Sequence, residues 1–186
     1  MKNGETPVHP YVRLARLTVD RLLRGEALPR SGTEIDPDAG LWNVERACFV
    51  SIKKMDGELR GCIGTILPTQ PGLDREIVAN AVSASTRDPR FPPMKEPELE
   101  CVVFSVDVLS VPEPVADIDT LDPRVWGVIV AKGARRGVLL PDLEGVDSVR
   151  QQLDIAARKA DLQNWEGAMI ERFRVDRYAE KGGNFS

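Results

Sequence analysis

The chain has 186 residues, of which 42% are hydrophobic and 29% are charged, a balance that excludes wholesale disorder and allows a substantial buried core. The net charge of −4 argues against binding to nucleic acid or to an anionic membrane surface. Three cysteines and one histidine exclude a disulfide framework and a metal site built from several histidines.

The sequence shows no targeting signal and no membrane span. Its first eight residues contain one lysine and no apolar run, so no signal peptide is predicted. The longest apolar windows, 102–109 and 126–131, have the length of strands rather than of membrane-spanning helices. Because an odd number of cysteines also suits a reducing compartment, we expect a cytoplasmic protein.

The N-terminal third contains the pattern of one helix followed by one hairpin. Apolar residues at helical spacing predict a helix over 10–24 that ends near Gly25, and a Pro-, Gly- and Asp-rich loop over 28–40 follows. Alternation over 48–52 predicts a strand, and Asp56-Gly57 predicts a tight turn into a partner strand over 58–63.

The rest of the chain alternates between helical and strand patterns, and no internal repeat is detected. The predicted elements are a helix from Leu73 that stops before Asp88, a strand over 102–108 ended by Pro112 and Pro114, a hairpin of 126–131 and 138–140 around Gly133–Gly137, a helix over 146–160, and a last strand carrying Met169, Phe173 and Val175 on one face. This order predicts an α+β fold with a mostly antiparallel sheet and about three main helices.

One short segment concentrates residues of chemical interest, Leu59-Arg60-Gly61-Cys62-Ile63-Gly64. Its glycines permit close approach of a ligand or of another part of the chain. Because a nearby guanidinium favours the nucleophilic thiolate, one hypothesis is that Cys62 is a reactive or ligand-contacting thiol beside Arg60. The alternative is a buried strand cysteine whose glycines mark a bulge. The single histidine, His9, precedes the first helix, so an activated Cys62 would need a carboxylate, water or substrate group as its base.

A second segment, Asp88-Pro89-Arg90-Phe91-Pro92-Pro93, is restricted to one extended or turning shape by its prolines. Arg90 is a candidate for binding a carboxylate or phosphate, whose oxygens match the guanidinium fork. Structural roles are also open, because Asp88 can cap the preceding helix or pair with Arg90, and Phe91 can fill the core.

The remaining candidates favour structural roles. Arg135-Arg136 is typical of a solvated turn, Trp165 is typical of a core aromatic after a helix, and burial on strands is sufficient to explain Cys48 and Cys101. The cysteines lack CxxC spacing, and phosphate-binding loops, nucleophile elbows and kinase signatures are missing from the sequence. We therefore predict no metal and no cofactor.

The two segments together resemble signatures of the AMMECR1 family. Leu59–Gly64 matches the family's typical hexapeptide, Asp56-Gly57-Glu58 leads into it in the same way, and 88–93 is similar to its second signature. Further similar segments follow the family's order, namely Tyr11–Arg16, Glu98-Leu99, Gly137–Pro141, and Lys159–Leu162 with Trp165. The resemblance covers nearly the whole chain, and Val138 stands where the family more often has leucine.

The resemblance implies one α+β domain over 1–186, with a larger and a smaller subdomain and a groove lined by the hexapeptide. It also implies pathway partners, because prokaryotic members are often linked with a Memo-like protein and a radical SAM protein. The family's biochemical activity is not established, so the resemblance assigns no catalytic residue. It implies only that the motif positions form a functional surface.

Two hypotheses of function follow. In the first, the protein binds a small ligand or substrate, Arg60 or Arg90 holds its anionic group, and Cys62 is the candidate catalytic residue. The ligand-binding surface would then comprise Leu59, Arg60, Gly61, Ile63, Gly64, Asp88, Arg90 and Phe91. In the second, the same groove docks a protein partner without catalysis. A role with nucleic acid would depend on the small basic patch of Arg135 and Arg136 alone.

Overall fold

A computed structural model describes residues 8–30, 34–35 and 42–181. The described elements are α1 (Pro10–Arg24), β1 (Cys48–Lys54), β2 (Leu59–Gly64), α2 (Leu73–Thr86), a 3-10 helix (Glu96–Cys101), β3 (Val102–Leu109), β4 (Glu113–Pro114), a 3-10 turn (Ile118–Thr120), β5 (Gly127–Lys132), β6 (Arg135–Leu139), α3 (Val149–Lys159), β7 (Met169–Phe173) and β8 (Val175–Ala179). Helices thus combine with antiparallel pairs such as β1–β2 and β5–β6, and the predicted α+β fold is confirmed.

Helix α1 begins and ends where local signals predict. Pro10 occupies the first turn, where its missing N–H costs nothing, and the His9 ring accepts a hydrogen bond from the Tyr11 N–H. Gly25 ends the helix in the left-handed conformation, with φ of 70°. The first seven residues and most of the predicted loop over 28–40 lie outside the described residues.

The first sheet has the strand order β2-β1-β3-β8. Burial alternates along β1, as the sequence predicts, because Cys48, Val50 and Ile52 lie on the side that α2 covers. Helix α2 packs on the β1–β2 hairpin, and α1 packs on α2. This arrangement leaves β2 as an edge strand.

The second sheet has the order β4-β7-β5-β6, and α3 packs on its β5–β6 hairpin. Both sheets therefore contain the same succession of hairpin, helix and returning strand, since β3 pairs with β1 and β7 pairs with β5. A glycine in the second strand of each hairpin lies under the helix backbone, Gly61 beneath Ala84 and Gly137 beneath Ala156. The structure thus repeats an arrangement that the sequence does not reveal.

Three sequence-based boundaries differ from the structure. The single last strand is wrong, because its residues form β7 and β8, which belong to different sheets. Alternation of apolar residues determines which face is buried but not which strand becomes the neighbour. Strand β4 was not predicted because it has two residues and contains Pro114, and the second hairpin turns before Arg135, so that Gly137 lies within β6.

The contacts divide the described chain into two compact units, residues 8–108 with 177–181, and residues 109–176. We propose that these units are the larger and the smaller subdomain. Among the described residues, every helix is too short or too polar to span a bilayer.

Candidate functional site

The hexapeptide forms β2, and packing accounts for both of its glycines. A Cβ on Gly61 would lie 2.2 Å from the carbonyl oxygen of Ala84 in α2, and a Cβ on Gly64 would lie 2.3 Å from the Phe49 ring. Real Cβ atoms do not approach other heavy atoms so closely, so only glycine lets the helix and the ring contact this strand. Close approach of the protein to itself therefore explains these positions without a ligand.

The Cys62 side chain is partly buried and lies opposite Ser51 of β1, whose hydroxyl donates a hydrogen bond of 3.1 Å to Sγ. Burial raises the pKa of the Cys62 thiol above its ordinary value, and the Ser51 hydroxyl and the Arg90 guanidinium oppose this rise. The raised pKa favours the protonated thiol, which works against the thiolate that an activated nucleophile needs.

Asp88 and Arg90 cap the edge of β2 at Cys62. The Cys62 N–H donates to Asp88 Oδ2 at 2.9 Å, and the Cys62 carbonyl accepts from Arg90 Nη2 at 3.2 Å. Arg90 also donates through Nε and Nη2 to the two Asp88 oxygens, at 2.9 and 2.7 Å. These hydrogen bonds hold the pKa of the buried Asp88 carboxyl well below its usual range. The ion pair supplies the donor and the acceptor that a neighbouring strand would provide.

Arg60 occupies a bulge in β2, because Ile52 pairs with Gly61 whereas Lys53 pairs with Leu59. The Arg60 side chain is only 8% exposed, and Nε and Nη2 donate to the two Glu98 carboxylate oxygens at 2.6 and 3.0 Å. Nη2 also donates to the Pro92 carbonyl at 3.0 Å. The hydrogen bond from Arg60 lowers the pKa of Glu98. Arg60 is thus an ion-pair partner of Glu98, and the guanidinium that acts on the Cys62 thiol is that of Arg90.

The two arginines are bonded in the same way, and both lie near one aromatic ring. Each gives Nε and Nη2 to a carboxylate and Nη2 to a backbone carbonyl, so Nη1 of each has no acceptor among the described residues. The guanidinium carbons of Arg60 and Arg90 lie 5.9 and 5.5 Å from the centre of the Phe91 ring. Nη1 of Arg60 is buried, whereas the Arg90 side chain is 53% exposed.

The structure therefore brings Cys62, Asp88 and Arg90 into one hydrogen-bonded group, with Arg60 and Phe91 beside it. The two other predicted surface positions differ in role. Ile63 packs against the apolar core formed by α1, α2 and the first sheet, and Leu59 lies half-buried opposite Lys53.

Sequence reasoning assigned no role at the motif to three polar residues around it. Counting outward from the Asp56-Gly57 turn places Ser51 opposite Cys62, so the hairpin register was a usable signal for this residue. Glu98 pairs with Arg60 across 38 residues, a distance at which no local pattern predicts the contact. Glu76 of α2 is buried, and its carboxylate accepts from the Thr65 hydroxyl and from the backbone N–H groups of residues 69 and 70.

Glu76 thus anchors the loop that follows the hexapeptide.

The residues for which the sequence favoured structural roles differ in their burial. Arg135 and Arg136 are exposed, and Trp165 is half-buried against the apolar core of α3 and the second sheet. Burial raises the pKa of Cys48 to about 12. The expectation for Cys101 is wrong, because this thiol is exposed at the end of the 3-10 helix that precedes β3.

A family model named AMMECR1 matches residues 12–178. The chain belongs to the AMMECR1 family. A family member from Thermotoga maritima is 50% identical over 175 residues, which cover 91% of this chain and 97% of that protein. Another from Clostridium acetobutylicum is 45% identical over 172 residues, which cover 92% of this chain but only 36% of that longer protein.

A crystal structure of an AMMECR1-like protein from Pyrococcus horikoshii, described as uncharacterised, has the same fold. Its TM-score is 0.81 at 28% sequence identity, and the match covers 92% of this chain and 90% of the other. The family resemblance drawn from the sequence is confirmed, and so is the fold it implies. The names of these relatives indicate no activity, so function must be argued from the geometry of the motif surface in this chain.

Proposed function

We propose that the surface formed by β2 and residues 88–92 binds a small molecule carrying an anionic group. The observation that supports the proposal is the matched bonding of Arg60 and Arg90, which leaves Nη1 of each without an acceptor among the described residues. A guanidinium already held by a carboxylate and a carbonyl loses little side-chain freedom when it binds a second anion.

In this proposal Arg90 makes the first contact with the ligand, because its side chain is exposed, and Asp88 orients it. Phe91 offers an apolar surface to the part of the ligand next to the anionic group. Nη1 of Arg60 is buried, so a ligand reaches it only after a local rearrangement. The carboxylates of Asp88 and Glu98 neutralise much of the positive charge, which favours a ligand bound by hydrogen-bond geometry over one attracted by charge alone.

The proposal requires no catalytic step from Cys62. Burial raises the pKa of its thiol, and no histidine or carboxylate among the described residues forms a hydrogen bond with Sγ. Cys62 remains the candidate catalytic residue only if the bound substrate itself supplies the base. We therefore assign binding as the function, with Cys62 as a neighbour of the ligand.

The test compares an anionic with a neutral alkylating reagent at Cys62. In a Cys101→Ser background, the ratio of rate constants for iodoacetate and iodoacetamide is measured above pH 9, with and without Arg90→Gln. We expect the Arg90 variant to lower this ratio several-fold and Arg124→Gln, a control in the other unit, to leave it unchanged. Pyrophosphate should slow the labelling of Cys62 by iodoacetate. An unchanged ratio in the Arg90 variant, with no protection by pyrophosphate, would contradict the proposal.

A second candidate function is that of a non-catalytic interaction module. Two observations favour it. At Cys62 the edge of β2 is capped by side chains rather than by a strand, and the matched region forms only 36% of the Clostridium protein, as part of a longer chain. On this hypothesis the partners are the Memo-like and radical SAM proteins that the family resemblance implies.

A Cys62→Ser variant separates the two candidates. If the protein is an interaction module, the variant still forms a complex with the Memo-like or radical SAM protein in size-exclusion chromatography, and pyrophosphate does not protect Cys62 in the parent chain.

We further propose a cytoplasmic location, which the three free cysteines support.

A further inference from the structure

A cavity of about 870 Å³ lies along the outer face of α2, and its lining includes neither the hexapeptide nor residues 88–92. Its volume is in the range of small-molecule sites. Four residues of its lining, Arg75, Ala79, Ser83 and Arg87, recur every four positions along the helix and its C-terminal cap. Residues at this spacing share one helical face, so they form a row along the cavity.

The row has long cationic side chains at its ends and small side chains between them. At a rise of about 1.5 Å per residue, the backbones of Arg75 and Arg87 are roughly 18 Å apart. Ala79 and Ser83 leave the floor of the cavity open, while Leu28, Val78 and Val82 add apolar surface to its lining. The shape suits an elongated molecule.

The charged residues lining this cavity are mainly cationic, in contrast to the net negative charge of the chain. Its lining contains three arginines and one aspartate, whereas the chain as a whole has a net charge of −4. Arg75 and Arg87 are exposed, and neither side chain forms a hydrogen bond or an ion pair with a described residue. This distinguishes them from Arg60 and Arg90, which carboxylates already hold. Unpaired guanidinium groups above an open floor attract anions.

We propose that this cavity is a second binding site, for a small molecule with an anionic group, carboxylate or phosphate, at each end and an apolar segment between them. Arg75 and Arg87 bind the two ends, and the aliphatic side chains of the lining contact the middle. The site is independent of the proposed function at β2.

Calorimetric titration of the full chain at low salt tests the site with three probes. Azelate carries two carboxylates on an apolar chain, nonanoate carries one carboxylate on a chain of the same length, and tripolyphosphate carries phosphates alone. We expect azelate to bind about tenfold more tightly than nonanoate, and tripolyphosphate binding to show whether phosphates are accepted. Equal affinities for azelate and nonanoate would overturn the assignment of two anion contacts.

Two variants test the site by different means. R75Q/R87Q removes both cations, and Ser83→Leu fills the floor without changing the charge. Each should weaken azelate binding about tenfold, while R124Q/R150Q, which removes the same charge from the other unit, should change it by less than about twofold. These residues are exposed or half-buried, so circular dichroism should show unchanged folding.

Further results would also overturn the proposal: full binding in R75Q/R87Q or in Ser83→Leu, equal weakening in R124Q/R150Q, or no binding to the parent chain at about 10 mM azelate. R75Q/R87Q should leave the alkylation ratio of Cys62 and its protection by pyrophosphate unchanged, so the outcomes for the two sites are distinguishable.

Discussion

The backbone amide of Cys62 donates a hydrogen bond of 2.9 Å to the carboxylate of Asp88, 26 residues further along the chain. The Cys62 carbonyl accepts from Arg90, so both outward backbone groups of this edge-strand residue are satisfied by one ion pair. Unpaired groups on a strand edge invite pairing with another chain. The two family signatures are thus joined through the backbone of Cys62, and the thiol is not needed to explain why they occur together.

Asp88→Asn should destabilise the protein in a way that depends on pH. The variant weakens the hydrogen bonds from Cys62 and Arg90, and we expect a loss of about 2–3 kcal/mol at pH 7. Because the folded pKa of Asp88 lies below the unfolded value of about 3.9, its contribution is complete above about pH 5 and declines as the pH falls below 4. Urea unfolding should give the same difference in the free energy of unfolding between parent and variant at pH 7 and 5, and a smaller difference at pH 3.

The control for this series is Asp176→Asn, an exposed residue without a hydrogen bond or an ion pair to a described residue. It should change the free energy of unfolding little at any of these pH values. If the Asp88 variant loses the same free energy at pH 3 as at pH 7, packing rather than charge is the cause.

Gly61→Ala should destabilise the protein by about 2 kcal/mol or more, because its Cβ would collide with the Ala84 carbonyl oxygen at 2.2 Å. The colliding atom belongs to the backbone, so Ala84→Gly should not rescue the variant. Gly25→Ala is the control, since its Cβ meets nothing within 4 Å and the cost is only that of the left-handed conformation, about 1 kcal/mol. Urea unfolding should rank the two variants in this order, and the reverse order would refute the collision.

Cys62 should react slowly with iodoacetamide at pH 7, and its rate should rise with a midpoint above the free-thiol pKa of about 8.5. Cys48 will not interfere, since burial raises its pKa to about 12, and Cys101→Ser removes the exposed thiol. Arg90→Gln should move the midpoint to still higher pH, because the guanidinium lowers the pKa of the thiol. Mass spectrometry of alkylated peptides gives the rates, and a midpoint below 8.5 would restore the nucleophile hypothesis.

Glu76→Gln should release the loop that follows the hexapeptide. The backbone amides of Thr69 and Gln70 each donate to the Glu76 carboxylate at 2.8 Å, and loss of the charge should reduce their protection from hydrogen exchange about tenfold. The Cys62 amide, bonded to Asp88, serves as the internal control and should keep its protection. A uniform drop at all three amides would indicate global destabilisation instead of local release.

Local signals predicted much of the fold. Pro10 and Gly25 mark the ends of α1, and Asp56-Gly57 marks the turn between β1 and β2, because these residues restrict or permit backbone conformations by themselves. The division of the last strand into β7 and β8 was missed, since the apolar alternation continues across Arg174 while the strand partner changes.

The candidate site was predicted less completely. The prominence of Cys62, Arg60 and Arg90 is visible in the sequence, and the pairing of Asp88 with Arg90 was one of its open alternatives. That Arg60 pairs with Glu98, and not with the thiol, depends on a contact across 38 residues that no local pattern encodes.

By itself the sequence determined the order of the main elements, the α+β class and membership of the AMMECR1 family, because spacing, turns and motifs are properties of neighbouring residues. Only the tertiary structure decided that Gly61 lies beneath the Ala84 carbonyl, that burial raises the pKa of the Cys62 thiol, and that Arg75 and Arg87 lack acidic partners among the described residues. Burial and ion pairing depend on which distant segments the fold brings together, and those contacts set the chemistry of each side chain.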